Sequence, residues 1–234
     1  MALTAQSIIL RAVGVLQDTT SIRWPASELV RWLNDAQREV VMVRPDVLNT
    51  TATMTLAAGS RQDLDNAALT PAPSKLIEIT RNVAATSAKG AVRLVPRQIL
   101  DAQIPGWHAM TPKVDVLHYM FDPRDPKTFY VYPPATALAQ LEVMYSAFPT
   151  DIAEPTVGAL YTDVVGAISL PDNFGNVILD LILARAYSKD SEYAGNLQRA
   201  EFYRASAGAA LGGELKGTLA VQPQYKPGTP SAVA

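Results

Sequence analysis

Residues 24–46 read WPASELVRWLNDAQREVVMVRPD, and the predicted architecture follows from the pattern of these residues. Its apolar residues recur at helical spacing, which predicts one amphipathic helix. Pro25 suits a first helical turn, because its missing N–H would have no intrahelical partner there. Pro45 ends the helix, since proline disfavours helical geometry in the residue before it. The predicted apolar stripe, which needs a partner surface, comprises Leu29, Trp32, Leu33, Ala36, Val40 and Val43.

Three further helices are predicted, and with this one they can bury their apolar sides. Residues 4–18 predict a first helix, capped by Thr4 and joined to the second by a short link. Residues 170–190 predict a third helix that is apolar over most of its circumference and therefore buried. A fourth helix is expected to begin near residue 190 and to end at Gly212-Gly213. Its predicted apolar side comprises Tyr193, Leu197, Ala200, Tyr203, Ala207 and Leu211.

The residues between the two helical pairs are rich in threonine, alternating apolar positions and turn residues, which favours strands. Strands are expected at residues 49–56, 61–64, 75–83, 114–121, 128–132 and 140–148. The last three are predicted to form a meander of hairpins, with Pro133-Pro134 closing the middle strand.

The predicted fold class is α+β: an antiparallel helical bundle of four main helices, an inserted, mostly antiparallel β domain and an extended C-terminal tail. The expected boundaries are 1–48 and 170–213 for the two halves of the bundle, 49–169 for the β domain and 214–234 for the tail. The tail is rich in proline and lacks apolar periodicity, so it cannot bury enough surface to order alone. It is either a disordered end or a segment that orders on a partner.

The composition excludes several classes of site. The chain has 234 residues, a net charge of −2 and no basic block. Proteins that bind the phosphates of nucleic acid usually have a concentrated positive surface, so this composition does not favour such binding. Cysteine is absent, which excludes disulfides, thiolate metal sites and cysteine nucleophiles. No glycine-rich phosphate loop or nucleophile elbow occurs. We therefore predict no catalytic residue, metal ligand or cofactor.

No apolar run is long enough to span a bilayer. The N-terminus reads as a mature helix and not as a signal peptide, so the cytoplasm of the producing cell is the expected default location.

The histidines and the aspartate-rich loop could carry chemistry, but structural interpretations are favoured for them. His118 falls in a predicted strand, and His108 falls in a loop. Asp115, Asp122 and Asp125 could suggest calcium. The prolines of the DPRDP sequence and the missing alternation of ligands favour a turn instead.

Trp107, Tyr130 and Tyr132 could form a binding face for a glycan or a host protein. Sheet core or a subunit contact explains the two tyrosines equally well. The alternative function is therefore a glycan- or host-protein-binding tail module. A third hypothesis, a cell-wall hydrolase, is disfavoured by the shortage of histidine and the lack of a paired acidic motif.

A series of motifs, in this order, resembles the podovirus-like head–tail adaptor proteins of tailed bacteriophages. The similarity covers the helical parts and the later strands and is patchy between residues 57 and 103. The motifs are Trp24-Pro25, Trp32 to Glu39, Arg44 to Asp46, Asp122-Pro123, Phe129 to Pro134, Leu141 to Ser146, Leu170 to Asp172 and Ala184 to Asp190.

The resemblance implies a structural virion protein and not an enzyme. It implies a homo-oligomeric, dodecameric ring below the portal protein, with a tail nozzle or tail-tube protein as the other partner. Genomic DNA would pass through the ring without sequence-specific binding, and no membrane would be involved. The resemblance also implies that the helical bundle builds the ring and that the C-terminal segment docks on the portal.

Two sets of interaction residues follow from this resemblance. Charges on the second helix are either a solvated face or groups that fix the register of subunits in the ring. The expected portal contacts of the tail are Leu215, Leu219, Val221, Gln222, Pro223, Tyr225, Lys226 and Pro227. The candidates for subunit contact or packing are Trp24, Glu28, Arg31, Asp35, Arg38 and Arg44.

Overall fold

A computed structural model describes residues 3–86 and 88–221, and these divide into two compact units. The β unit comprises residues 37–153 and 166–172 together with Leu3. The helical unit comprises residues 4–36, 154–165 and 173–221. Segments from both ends of the described chain therefore fold into the helical unit.

The secondary structure confirms the α+β class. Within the described residues the α-helices are α1 (Ala5–Leu16), α2 (Ala26–Val43), α3 (Arg97–Gln103), α4 (Gly175–Lys189) and α5 (Asn196–Val221). The strands are β1 (Asn49–Thr55), β2 (Gly59–Asp63), β3 (Pro73–Asn82), β4 (Arg93–Leu94), β5 (His118–Phe121), β6 (Thr128–Ala135) and β7 (Gln140–Ala147).

The β unit contains two sheets that share one core. One sheet has the strand order β1-β7-β3 and the other β2-β6-β5-β4. Every pairing is antiparallel except that of β4 with β5. The alternation of β7 is as predicted, because side chains at every second position are completely buried. These side chains are Leu141, Val143, Tyr145 and Ala147.

The predicted meander is wrong for β7. β5 and β6 form the expected hairpin, but β7 pairs with β1 and β3 in the other sheet. β2 likewise pairs with β6 and not with the strand before it. Alternation shows which face of a strand is buried but not which strand lies beside it, so the sequence could not separate the sheets.

The strand bounds around the two prolines also differ from the prediction. β6 continues through Pro133-Pro134 to Ala135. A proline lacks only the N–H group, and its carbonyl still accepts, as Pro134 does from the Lys113 N–H at 2.8 Å. Residues 114–117, predicted as strand, lie outside β5.

α4 is the central helix of the helical unit, as its apolar circumference predicted. Its buried residues point in several directions around the axis, so more than one neighbour must cover it. α4 contacts both α1 and α5. The buried residues are Gly175, Val177, Ile178, Leu179, Leu181, Ile182, Leu183, Ala184, Ala186 and Tyr187.

α1 and α2 keep most of their predicted apolar faces. The Thr4 hydroxyl accepts a hydrogen bond from the Ser7 N–H at 3.2 Å, which confirms the predicted cap. Two members of the α2 stripe were wrongly predicted. Trp32 is only half-buried, and Val43 is exposed because it lies at the end of the helix. The other four stripe residues, Leu29, Leu33, Ala36 and Val40, are completely buried.

Both predicted ends of the fourth helix are wrong. α5 begins at Asn196, after a turn that leaves Tyr193 exposed. It then continues through Gly212-Gly213 to Val221. Glycine ends a helix by adopting positive φ, which neither of these glycines does, and in a helix it costs only about 1 kcal/mol relative to alanine. The predicted start of the tail at residue 214 therefore falls within α5.

The central position of α4 can be tested by unfolding the chain in urea. In a Trp107→Phe background, tryptophan fluorescence reports on Trp24 and Trp32, which both lie in the helical unit. Ile182→Ala should lower the free energy of unfolding of this unit by about 2–5 kcal/mol, because it leaves a cavity beside a fully buried site.

Ile22→Ala is the matched control, because Ile22 is 81% exposed, and its effect should stay within about 0.5 kcal/mol. Equal effects of the two substitutions would show that α4 is not the core of this unit.

Candidate interaction surfaces

Arg23 connects the α1–α2 turn to the α4–α5 turn within the helical unit. Its guanidinium lies 2.6 Å from a carboxylate oxygen of Asp190. The same group lies 5.1 Å from the ring centroid of Trp24 and 4.5 Å from that of Tyr193. The hydrogen bond with Asp190 raises the pKa of Arg23, and a bond with Tyr193 adds to the effect. A cation between two aromatic rings and a carboxylate thus joins the two turns.

Asp18 fixes the conformation of the α1–α2 turn. Its carboxylate accepts hydrogen bonds from the N–H groups of Ile22 at 3.2 Å and of Arg23 and Trp24 at 2.8 Å each. The Thr20 hydroxyl lies 3.2 Å away and also donates. Burial raises the pKa of the Asp18 carboxyl, but these hydrogen bonds outweigh burial and lower the pKa overall. This turn also holds the Trp24 side chain in the interior.

Glu28 and Arg31, both predicted for subunit contact or packing, bind residues far along the chain within the helical unit. Glu28 lies 2.5 Å from the Lys189 amine. Arg31 donates to both carboxylate oxygens of Glu154 at 2.8 Å. This hydrogen bond is the main cause of the lowered pKa of Glu154. Exposed pairs contribute little to stability individually, but they fix which segments meet.

The other three charged candidates belong to α2 or follow it directly. Arg38 lies 2.5 Å from Asp151 in the β unit. Arg44 is almost completely buried and binds Asp46 at 2.6 and 2.9 Å, which lowers the pKa of Asp46. Asp35 is exposed. None of these contacts tests a role between subunits, so that role stays a prediction.

No pattern in the sequence indicates the long-range partners of these charged groups. In each of four ion pairs the two partners lie more than one hundred residues apart in the sequence. These pairs are Arg23 with Asp190, Glu28 with Lys189, Arg31 with Glu154 and Arg38 with Asp151. Spacing rules apply to neighbours on one helix or one strand pair, so they cannot reveal such pairs.

The predicted portal contacts fall at the edge of the described residues. Leu215, Leu219 and Val221 belong to the last part of α5. Gln222, Pro223, Tyr225, Lys226 and Pro227 lie outside the described residues.

The aromatic residues of the β unit form a packed cluster, and Trp107 cannot contact a glycan as one hypothesis required. Its side chain is completely buried, and its indole N–H donates to Asp101 at 2.9 Å. The ring stacks on His108 at 3.6 Å between centroids, with Tyr130 and Tyr132 at its edges. This cluster is a second small core of the β unit.

The two histidines have the structural positions that the sequence suggested. His118 is half-buried in β5 and stacks on Tyr132. His108 is exposed, and its Nδ1 lies 2.7 Å from the Ser60 hydroxyl.

The aspartate-rich loop is a turn, as its prolines predicted. The Asp122 carboxylate accepts from the backbone and the guanidinium of Arg124. These bonds, led by the guanidinium, lower the pKa of Asp122 to about 2. Asp115 accepts instead from the Ala88 N–H. Over residues 3–86 and 88–221, no cluster of histidine and carboxylate groups has the arrangement of a metal site.

A sequence profile described as SU10 adaptor protein matches residues 3–230. Because the match spans nearly the whole chain, the chain belongs to this family and is a phage head–tail adaptor protein. A comparison with curated proteins finds no match.

Membership of this family implies that the chain has a structural role at the head–tail junction of the virion. It also implies that the protein is not an enzyme. It also implies interaction with portal and tail proteins. Among the helices of the described chain, none combines the length and apolar character that crossing a membrane requires.

The Asp18 turn gives a pH-dependent prediction. The pKa of Asp18 is lower in the folded chain than its ordinary value of 3.8, so the ionised carboxylate stabilises the fold. Its contribution is complete above about pH 5, where the carboxyl is ionised in both states, and is lost as the pH falls through the lower folded-state pKa. Asp18→Asn should therefore lower the free energy of unfolding by about 1–2 kcal/mol at pH 7.

The difference between the original chain and the variant, measured in urea, should shrink as the pH falls below 4. Asp115→Asn is the control, because among the described residues one backbone N–H, that of Ala88, donates to its carboxylate. A difference that is the same at pH 7 and at pH 3 would contradict the assignment.

Proposed function

We propose that this adaptor forms a dodecameric, podovirus-like ring below the portal, joins the portal to the tail nozzle or tail tube, and lines part of the DNA conduit. In this proposal the chain folds in the host cytoplasm and joins the ring during assembly. The helical unit acts as an antiparallel four-helix bundle that builds the ring, and the C-terminal segment docks on the portal.

The length of α5 is the observation that carries this proposal. α4 and α5 run antiparallel, because Tyr187 stacks on Tyr203 while the earlier Asp180 accepts from the later Ser206 at 2.7 Å. α4 has 15 residues and α5 has 26, so they extend over about 22 and 39 Å.

The α5 side chains that are buried in the helical unit end, among those described, at Leu211. The helix itself continues to Val221. A helix that is longer than the α4 helix it packs against is suited to carry the following residues to another protein. In the proposal the portal-binding region therefore begins on the last turns of α5 and continues into the proline-containing residues 222–227.

The charge of the chain also supports a conduit. A net charge of −2 gives no general attraction for a phosphate backbone. DNA moves through a channel more easily during packaging and ejection if the channel surface does not bind its phosphates.

The ring itself can be observed directly. Purified full-length chain should be mixed with the portal ring from the same phage and imaged by electron microscopy. An added ring with the rotational symmetry of the portal is the expected result. If repeated preparations show bare portals at saturating adaptor concentration, the ring proposal is wrong.

The tail assignment is tested by truncation after Val221. The truncated chain should keep its helical content and urea midpoint, because the described buried residues all precede residue 212. It should lose binding to the portal ring in sedimentation or native mass spectrometry.

Truncation after Pro230 is the matched control, since it keeps all the candidate portal contacts. Full portal binding by the chain that ends at Val221 would refute the tail assignment.

A further inference from the structure

The helical unit has an open cleft with aromatic side chains in its lining, near the start of α5. Tyr187 of α4 stacks on Tyr203 of α5, with 5.8 Å between the ring centroids and 1° between the ring planes. Phe202 meets the Tyr203 ring edge-on, with 5.5 Å between the centroids. The cleft has a volume of about 530 Å³, and we call it the aromatic cleft. It is lined by Tyr187, Gly195, Gln198, Arg199, Phe202 and Tyr203.

The aromatic cleft combines a fixed base with an exposed rim. Tyr187 is buried and Tyr203 is half-buried, whereas Phe202 is 67% exposed. The lining also contains hydrogen-bond donors, because Gln198 has a side-chain amide and Arg199 has its guanidinium 5.6 Å from the ring centroid of Tyr187. Aromatic grooves of this kind bind proline-rich segments in the extended polyproline II conformation, whose carbonyl groups are free to accept hydrogen bonds.

The chain itself contains a segment with this chemistry. Residues 222–234, which lie outside the described residues, read QPQYKPGTPSAVA. Three prolines occur in it, and Pro227 and Pro230 have the PxxP spacing that such grooves recognise. Proline fixes φ close to the polyproline II value, so a segment rich in proline loses little conformational entropy when it binds.

We propose that residues 223–230 of one copy bind in the aromatic cleft of a second copy. The prolines pack against the rings of Phe202 and Tyr203, and the side chains of Gln198 and Arg199 donate to carbonyl groups of the segment. Every copy carries both the cleft and a segment of matching chemistry. The contact goes beyond the proposed portal role of the tail and does not depend on it. For one tail the two sites are mutually exclusive, so the cleft serves tails that are not bound to the portal.

The length of the tail excludes binding to the cleft of the same copy. Between Phe202 and Val221 the α5 helix rises by about 28 Å. A fully extended chain spans at most about 3.5 Å per residue, which keeps Pro227 within about 21 Å of Val221. Pro227 therefore cannot reach the aromatic cleft of its own copy, and the PxxP pair can enter only the cleft of another copy.

A labelled peptide tests whether the aromatic cleft recognises the segment. A fluorescein-labelled peptide of residues 222–234 should bind the full chain saturably in a fluorescence anisotropy titration. Phe202→Ala should weaken this binding about tenfold, because it removes the exposed ring of the cleft. Leu138→Ala is the matched control and should bind the peptide as the original chain does, because Leu138 is exposed in the β unit.

A second peptide tests whether the prolines are recognised. Replacement of Pro223, Pro227 and Pro230 by alanine should also weaken binding about tenfold, because the peptide is then no longer pre-ordered as polyproline II. Equal binding of the two peptides would refute the contact. Unchanged binding of the original peptide to Phe202→Ala would refute it as well.

Cysteine cross-linking tests whether the contact joins two copies, because the chain contains no cysteine. Full chains with Gln198→Cys and with Thr229→Cys should be mixed under mild oxidation. Their mixed disulfide should form about tenfold faster than that between Thr229→Cys and Leu138→Cys, since contact raises the effective concentration of the thiols. Equal rates for the two mixtures would refute the contact.

A chain that carries both Gln198→Cys and Thr229→Cys separates the two possible geometries. It should form disulfide-linked multimers, because even a fully extended tail is too short to bring Thr229 back to Gln198 of its own copy. An intramolecular disulfide in a monomeric chain as the main product would overturn the assignment to a second copy.

The outcomes also separate this inference from the portal proposal, because these experiments use the adaptor chain alone. If the peptide binds as expected but the chain forms no complex with the portal, the cleft contact stands and the ring proposal is wrong. If the chain binds the portal through its tail but neither peptide nor disulfide shows the contact, only the cleft contact is wrong.

Discussion

The need to bury α4 governs the connectivity of the chain. This helix is apolar around most of its axis, so one neighbouring helix cannot remove it from water. Segments from before and after the β unit belong to the same compact unit and supply the cover. The chain must therefore leave the helical unit, form the β unit and return. An insertion is the connectivity that satisfies this requirement with one continuous chain.

Charged contacts then specify how the helical segments meet. Arg23 with Asp190 and Glu28 with Lys189 join turns and helices that are far apart in sequence. Such pairs contribute little free energy individually at a surface, whereas the apolar core provides most of the stability. Their value lies in selecting one arrangement among several that would bury similar apolar area. Asp18 acts in the same way by fixing one turn through backbone N–H groups.

The sequence predicted what depends on local patterns and missed what depends on distant partners. The Thr4 cap, the buried α4 and the alternation of β7 all follow from periodicities within one element. The sheet neighbours of β7 could not be predicted, because alternation identifies a buried face without identifying the adjacent strand. The end of α5 was mispredicted at Gly212-Gly213 for another reason. Glycine favours the end of a helix but does not impose one. For the site, the resemblance identified the family, while the partners of the α2 charges and the burial of Trp107 needed the fold.

Under the proposed function, the helical unit has to be stable while the end of α5 binds the portal. The helices from both ends of the chain must then form one cooperative unit. Hydrogen exchange at increasing urea concentration, followed by mass spectrometry, tests this requirement most directly. The protected amides of α1 and α4 should converge on one free energy of opening and one urea dependence. If the amides of α1 exchange freely while those of α4 remain protected, the two ends of the chain fold independently and the account is wrong.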